Sequence, residues 1–329
     1  MKIALILNPL AVAPTEEEHR INLTRRARHN RIITETIRSS GHEIEPIEYD
    51  DQFKNHLLKF SPDLVFLQTF RADPDVSILR IQAELEGMNL PYTGSPPDAC
   101  RTGQNKFLAK EKFRQAGLPT PRFALIEKDQ AMAKKPANLE YPLFFKPLYG
   151  GCSMGIHPEN PVWDDEGFAY VLEETQAATE QQVLVEEFID GREFTAGILG
   201  NHPPTALPLI EFTALARKED PVPFRLFDAK TDMEIQEPIE CPADIKEGEK
   251  QRIQEIAVKA FSALGCYDYA RVDIRCDKRG NPFVLEVNVH PSLLPSSSLP
   301  IMAEKAGIGY PQLFEHIFQS ALSRYRMDA

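Results

Sequence analysis

Ala270-Arg-Val-Asp-Ile-Arg275, a break at Cys276-Asp-Lys-Arg-Gly-Asn281, and Pro282-Phe-Val-Leu-Glu-Val-Asn-Val-His-Pro291 form the stretch that decides the fold. Apolar residues alternate in both runs, Val272 and Ile274 in the first and Leu285, Val287 and Val289 in the second, so each predicts a half-buried strand. The Gly280-Asn281 break joins them as a hairpin. A turn centred between Arg279 and Gly280 sets Asp273 opposite Glu286 and Arg271 opposite Asn288, all on one face. Two opposed carboxylates repel unless a cation sits between them. Two acidic oxygens and an amide oxygen on a rigid sheet suit Mg2+, which takes its remaining ligands from water and phosphate oxygens, so the hairpin points to a nucleotide. The competing reading is a solvated hairpin face with charges of both signs.

A metal hairpin serving a nucleotide needs cationic and backbone partners for the phosphates, and the chain offers them upstream. Tyr141-Pro-Leu-Phe-Phe-Lys-Pro147 predicts a strand with Lys146 alone among apolar neighbours, followed by the loop Leu148-Tyr-Gly-Gly-Cys-Ser-Met-Gly-Ile156. A lysine on a buried strand is costly without an anion, and a Gly-rich loop brings backbone N–H groups close to phosphate. Gly-Gly pairs also occur in ordinary hairpin turns. After a helix at Asp164 to Ala178, Gln182 to Gly200 reads as strand, acidic bend, strand. There a base can hydrogen-bond exposed backbone while a carboxylate takes the ribose hydroxyls; singly, Glu186 and Glu193 also fit edge charges.

The chain has 329 residues, enough for two or three domains, and divides at 1–104, 105–189 and 190–329. The first division predicts alternating strands and helices on a parallel sheet: a strand at Lys2 to Leu7, a helix at Leu23 to Arg38, strands at His42 to Ile47 and Asp63 to Gln68, and a helix from Ser77 to a C-capping Gly87. Between the first strand and helix, Thr15 reads as an N-cap before an acidic first turn. No apolar run is long enough to span a membrane, and the N-terminus reads as a strand rather than a signal peptide, so a cytoplasmic protein is expected. Five scattered cysteines without a Cys-x-x-Cys pair argue for free thiols. A net charge of −12 argues against an extended polyanion such as nucleic acid as partner, while a small anion in a local basic pocket stays open.

Taken in order, Tyr92-Thr-Gly-Ser95, Lys106, Gly117-Leu-Pro-Thr-Pro121, Phe145-Lys-Pro147 with its loop, Val185-Glu-Glu-Phe-Ile-Asp-Gly-Arg-Glu-Phe194, Leu199-Gly-Asn201, Leu264-Gly-Cys266, Tyr269-Ala-Arg-Val-Asp273 and Leu285-Glu-Val-Asn288 resemble the D-alanine:D-alanine ligases of the ATP-grasp superfamily. The resemblance is specific over residues 90–329 and general before them. It implies an α/β and α+β chain in which an N-terminal parallel-sheet domain precedes an ATP-grasp fold, with small-molecule amino acid and carboxylate substrates and a homodimer through the N-terminal domain. It also implies ATP and Mg2+ as cofactors, with Mn2+ able to stand in for the metal. By it, Lys106, Lys146 and Ser153 hold phosphates, Glu186, Glu187 and the backbone at Ile189 face adenine, and Glu193 takes the ribose. Asp273, Glu286 and Asn288 hold the metal, Lys230 reaches the γ-phosphate, and Arg271 and the N–H of Ser292 support an acyl phosphate and the tetrahedral intermediate. Ser297 and Ser298 take an amino acid's carboxylate.

Departures from the family pattern concentrate around the first substrate. Asn8 to Pro14 replaces a Gly-Gly-x-Ser-x-Glu stretch, Cys152 and Thr231 replace a Ser and a Tyr, Gln68-Thr69 replaces His-Gly, and Ser292 replaces the Gly of a Pro-Gly turn. They imply a first pocket open to a larger or less polar substrate than D-alanine, as in relatives that make mycosporine-like amino acids or D-cycloserine. The alternatives are a different ATP-grasp activity and an ATP-binding regulatory protein without catalysis. An acyl phosphate must be kept from water, which points to closing loops at Tyr149 to Met154 and Leu215 to Thr231.

Overall fold

A computed structural model describes residues 1–7, 16–68, 78–128, 134–150, 155–213 and 239–327, and three separate sheets organise these described residues. The first is the parallel sheet that strand–helix alternation predicts. Its order is β2-β1-β3, with β1 at Lys2–Leu7, β2 at Glu43–Glu48 and β3 at Leu64–Leu67. Helices α1 (Glu16–Ser39), α2 (Phe53–Phe60) and α3 (Ile78–Gly87) connect and cover it. Helix α1 starts seven residues before the expected Leu23, and Thr15 lies outside the described residues. Gly87 does not cap α3: the left-handed turn falls on Asn89, at φ 53°, so Gly87 is simply the last helical residue.

Helices α4 (Pro97–Gln104) and α5 (Lys106–Gln115) lead into the second sheet. Asn105 starts α5 by accepting the Leu108 N–H, and Gly117, at φ +68°, ends it before the extended Leu118 to Arg122 segment. The second sheet is antiparallel, with β4 (Phe123–Ile126) and β5 (Leu143–Pro147) on either side of β6 (Val183–Glu187). Helix α6 (Asp165–Thr179), capped by Asp164, covers one face, packing Phe168, Val171 and Leu172 against Phe145 and Val185. The other face carries Lys146 and Glu186.

The acidic bend after β6 leads out of this sheet into the third, whose path is β10-β9-β7-β11-β12. Here β7 is Glu193–Leu199, β8 Thr205–Ala206 on its flank, β9 Ile210–Phe212, β10 Ile239–Glu240, β11 Tyr269–Cys276 and β12 Pro282–Asn288. The hairpin of β11 and β12 pairs Arg271 with Asn288 and Asp273 with Glu286, as expected. Past Asp273 the register shifts, and Ile274 faces Val284. A bulge therefore corrects the expected core face: Val284, Val287 and Val289 are buried, whereas Leu285, the extra residue, is not on that face.

Helices α7 (Glu247–Ala263), α8 (Ser298–Lys305) and α9 (Tyr310–Met327) complete the described chain. Two cores run through the first and third sheets together. One joins Ala4, Val65 and Phe113 to Val272, Val284 and Phe261; the other joins Ile3, Leu5 and Phe66 to Leu299, Phe314 and Phe318. Asp268, fully buried at φ 66°, ties these parts. Its carboxylate accepts the Gly94 N–H at 2.8 Å and the Asn201 Nδ2 at 3.0 Å, with Arg324 3.5 Å away.

Candidate nucleotide and ligation site

Lys146 projects from β5 because strand alternation puts it opposite Phe145, whose ring is in the α6 core. On the adjacent strand, Glu186 reaches the same face and lies 2.6 Å from Lys146 through Oε1 and 2.6 Å from Lys110 through Oε2. Lys110, on α5 and 1% exposed, was not singled out from the sequence. Burial alone would raise the Glu186 carboxyl, but the two ammonium groups outweigh it and hold it down at about 2. Burial alone would likewise push Lys146 down; Glu186 and Glu286 reverse this and keep it charged.

Lys106 opens α5 one turn before Lys110 and donates to the carbonyls of Pro147 at 3.0 Å and Gly150 at 2.7 Å, at the mouth of the Gly-rich loop. Burial, reinforced by Lys146, lowers its ammonium to about 8 against the opposing pull of Glu286 and Glu186. Lys106 thus contacts the backbone next to Lys146, and the two ammonium groups act on each other electrostatically. Cys152, Ser153, Lys230 and Thr231 lie outside the described residues.

The bend between β6 and β7 is held by Arg275 of β11. Its guanidinium donates to the carbonyls of Ile189 and Gly191, each at 2.8 Å, and to Glu193 Oε2 at 3.0 Å. Glu193, expected on the ribose, is therefore buried in a cross-strand ion pair, and the Ile189 carbonyl is engaged. Glu187 turns away from the Lys146 face: it binds Arg122 at 2.6 Å and accepts the Glu140 N–H at 2.9 Å.

On the hairpin, Arg271 forks onto Asp273 with Nε 3.0 Å from Oδ1 and Nη2 2.9 Å from Oδ2, and Thr195 donates to Oδ1 at 2.6 Å. Opposite it, Glu286 has no hydrogen bond or ion pair among the described residues. Asn288 Oδ1 accepts the His290 N–H at 3.0 Å. Among the described residues no three His, Cys, Asp or Glu side chains gather as a metal cluster. Two opposed carboxylates, one lacking a direct partner, with an amide oxygen beside them still fit Mg2+, which needs few protein ligands. The next turn carries Ser292, whose Oγ accepts the Ser297 hydroxyl at 2.7 Å. Ser297 is the N-cap of α8, yet its side chain makes no cap bond, so the N–H groups opening at Ser298 have no side-chain cap.

At the C-terminal end of β3, Gln68 is 5% exposed and both its amide atoms lack a hydrogen-bond partner among the described residues. Its neighbour Leu67 accepts the Tyr269 hydroxyl at 3.4 Å, which places this strand end near the start of β11.

Comparison with known proteins gives a consistent picture. The family model "D-ala D-ala ligase C-terminus" matches residues 113–319. The chain is 36% identical to the D-alanine–D-alanine ligase of Pelotomaculum thermopropionicum over 74% of this chain and 75% of that protein. It is 32% identical to the "Uncharacterized protein y4sG" of Sinorhizobium fredii over 89% and 87%. Two crystal structures of the D-alanine–D-alanine ligase from Bacillus anthracis cover all of both chains. One has a TM-score of 0.76 at 26% identity; the other, complexed with ATP, has 0.75 at 23%. No described helix is long and apolar enough to cross a membrane.

Proposed function

The chain belongs to the D-alanine–D-alanine ligase family and has its ATP-grasp fold, and from that membership we propose an ATP-dependent, ADP-forming ligase that joins a carboxylate to an amino acid's amine through an acyl phosphate. The observation that carries this is the pairing of two half-sites. An anion-seeking set, Lys106 and Lys146, faces a cation-seeking set, Asp273, Glu286 and Asn288, whose Glu286 acts on both lysines electrostatically. A nucleotide triphosphate with a divalent cation answers both. In this reading Lys106, Lys146, Lys230 and the N–H groups at Ser153 position the phosphates, and Glu186 and the Ile189 N–H face the base. Glu193, in a charge pair with Arg275, borders the ribose. Mg2+, when bound, supplies charge neutralisation on the phosphate oxygens. Arg271 and the Ser292 N–H stabilise negative charge on the acyl carbon's oxygen. The open first turn at Ser297 and Ser298 takes the carboxylate of the amine-donating amino acid.

A changed first substrate is favoured by Gln68. A buried amide with neither atom paired among the described residues costs free energy, and a substrate group at that strand end offsets the cost. With Cys152 and Thr231 at positions where the family carries stronger hydrogen-bonding side chains, the first carboxylate substrate is then larger than D-alanine. The test is ADP release with D-alanine alone and with D-alanine beside a panel of larger carboxylates. The changed pocket predicts release only with a partner carboxylate. A kcat/KM for D-alanine alone on the order of 10⁴ M⁻¹s⁻¹ or more makes it an ordinary D-alanine–D-alanine ligase. ATP binding without ADP release under any condition supports a regulatory protein.

A further inference from the structure

Lys110 is a buried cation that the proposed reaction does not use. Its ammonium lies 2.6 Å from Glu186 Oε2, donates to Thr120 Oγ1 at 2.9 Å, and sits 5.8 Å above the Phe123 ring. The Thr120 hydroxyl passes the contact on, donating to the Val284 carbonyl at 2.8 Å on β12, two residues from Glu286. A second ammonium buried beside Lys146 is expensive, and charge balance does not require it, because Lys146 alone already neutralises Glu186. What the second ammonium adds is geometry. With one cation at each oxygen, the carboxylate cannot rotate about its Cγ–Cδ bond or turn both oxygens onto Lys146.

We infer that Lys110 is a positioning residue that fixes the Glu186 carboxylate as a rigid acceptor at the base pocket and thereby sets the preference for adenine over guanine. The inference rests on the proposed reading that Glu186 faces the base. A fixed acceptor is matched by the 6-amino donor of adenine and opposed by the 6-oxo acceptor of guanine, so discrimination depends on the acceptor not turning away. Burial, with Lys146 beside it, holds the Lys110 ammonium below its ordinary value against the pull of Glu186.

The test compares ATP and GTP affinities, measured by displacement of a fluorescent nucleotide, in the full chain and in K110M, T120V and E186Q. The ratio of the two affinities is read because a general loss of structure or of positive charge weakens both nucleotides together. K110M should lower the ATP-to-GTP ratio about tenfold and T120V about two- to threefold. E186Q should lower it as far as K110M, and the double variant no further. A K110M ratio within about twofold of the native one, while E186Q loses its preference, overturns the inference and leaves the site reading standing. An unchanged ratio in E186Q removes Glu186 from the base pocket and the inference with it. If circular dichroism shows that K110M does not fold, T120V decides, and its full retention of preference is the overturning result.

Discussion

Lys106 is a titratable contact in reach of neutral pH. Its ammonium meets carbonyls rather than a carboxylate, and burial leaves it at about 8, whereas Glu186, at about 2, stays ionised throughout the working range. The charged form exists below that value and is the one that binds phosphate, so affinity is retained on the acid side and lost as pH rises. ATP affinity without other substrates should be level up to about pH 7 and fall by up to about tenfold per unit above pH 8. K106M should flatten that profile; a native profile already flat to pH 9.5 contradicts the assignment. At this scale the sequence spoke unevenly. Lys146 stood out because its neighbours on the strand are apolar. Lys110 did not, because Lys106, Lys112 and Arg114 surround it in one charged helix and only the three-dimensional packing buries one of them. Its helical phase, on one face with Ala109 and Phe113, was the available signal.

The bend between the second and third sheets is a single rigid joint, and Gly191 is its tightest point. A Cβ there would stand 2.0 Å from the Cys276 carbonyl oxygen, a backbone atom that cannot step aside like the end of a side chain. G191A must therefore move the bend off Arg275 and disturb the Ile189 and Gly191 carbonyl contacts together. The expected result is a loss of about 2–4 kcal/mol in urea unfolding with a parallel drop in ATP affinity. A stable variant with native ATP affinity would mean that the joint yields. The strands of the parallel sheet, β5 to β7, the hairpin and the acidic bend were legible from alternation and turn residues, whereas β4, β8 and β10, only two to four residues long, were too short to show a period. The bulge was not, because alternation records only which face a residue takes, and one inserted residue shifts that phase without any composition signal. It keeps Glu286 and Asn288 on the Asp273 face while delivering Val284 to the core.

Across the whole molecule, Asp268 gathers segments that the sequence could show only as separate motifs: Tyr92 to Ser95, Leu199 to Asn201, and Tyr269 to Asp273. Gly94, Asn201 and Arg324 all converge on its carboxylate, a meeting that no spacing along the chain encodes. D268A removes the only carboxylate that the Gly94 N–H, Asn201 and Arg324 share among the described residues, leaving Arg324 with the Tyr92 and Gly94 carbonyls alone, and should cost about 3–5 kcal/mol in denaturant unfolding. Burial pushes the Asp268 carboxyl up, so D268N, neutral and nearly isosteric, should cost clearly less; equal losses would show that the charge itself is needed. The parallel sheet was legible, but not what covers it. Ile3, Leu5, Leu64 and Phe66 pack against Leu293, Leu299, Phe314, Ile317 and Phe318. During synthesis on the ribosome, those strands therefore emerge with one apolar face only partly covered, by Ile33 and Ile37 of α1, and wait for some two hundred and fifty further residues before the helices that complete the cover exist. A sheet made before those helices is fully closed only once they have followed it.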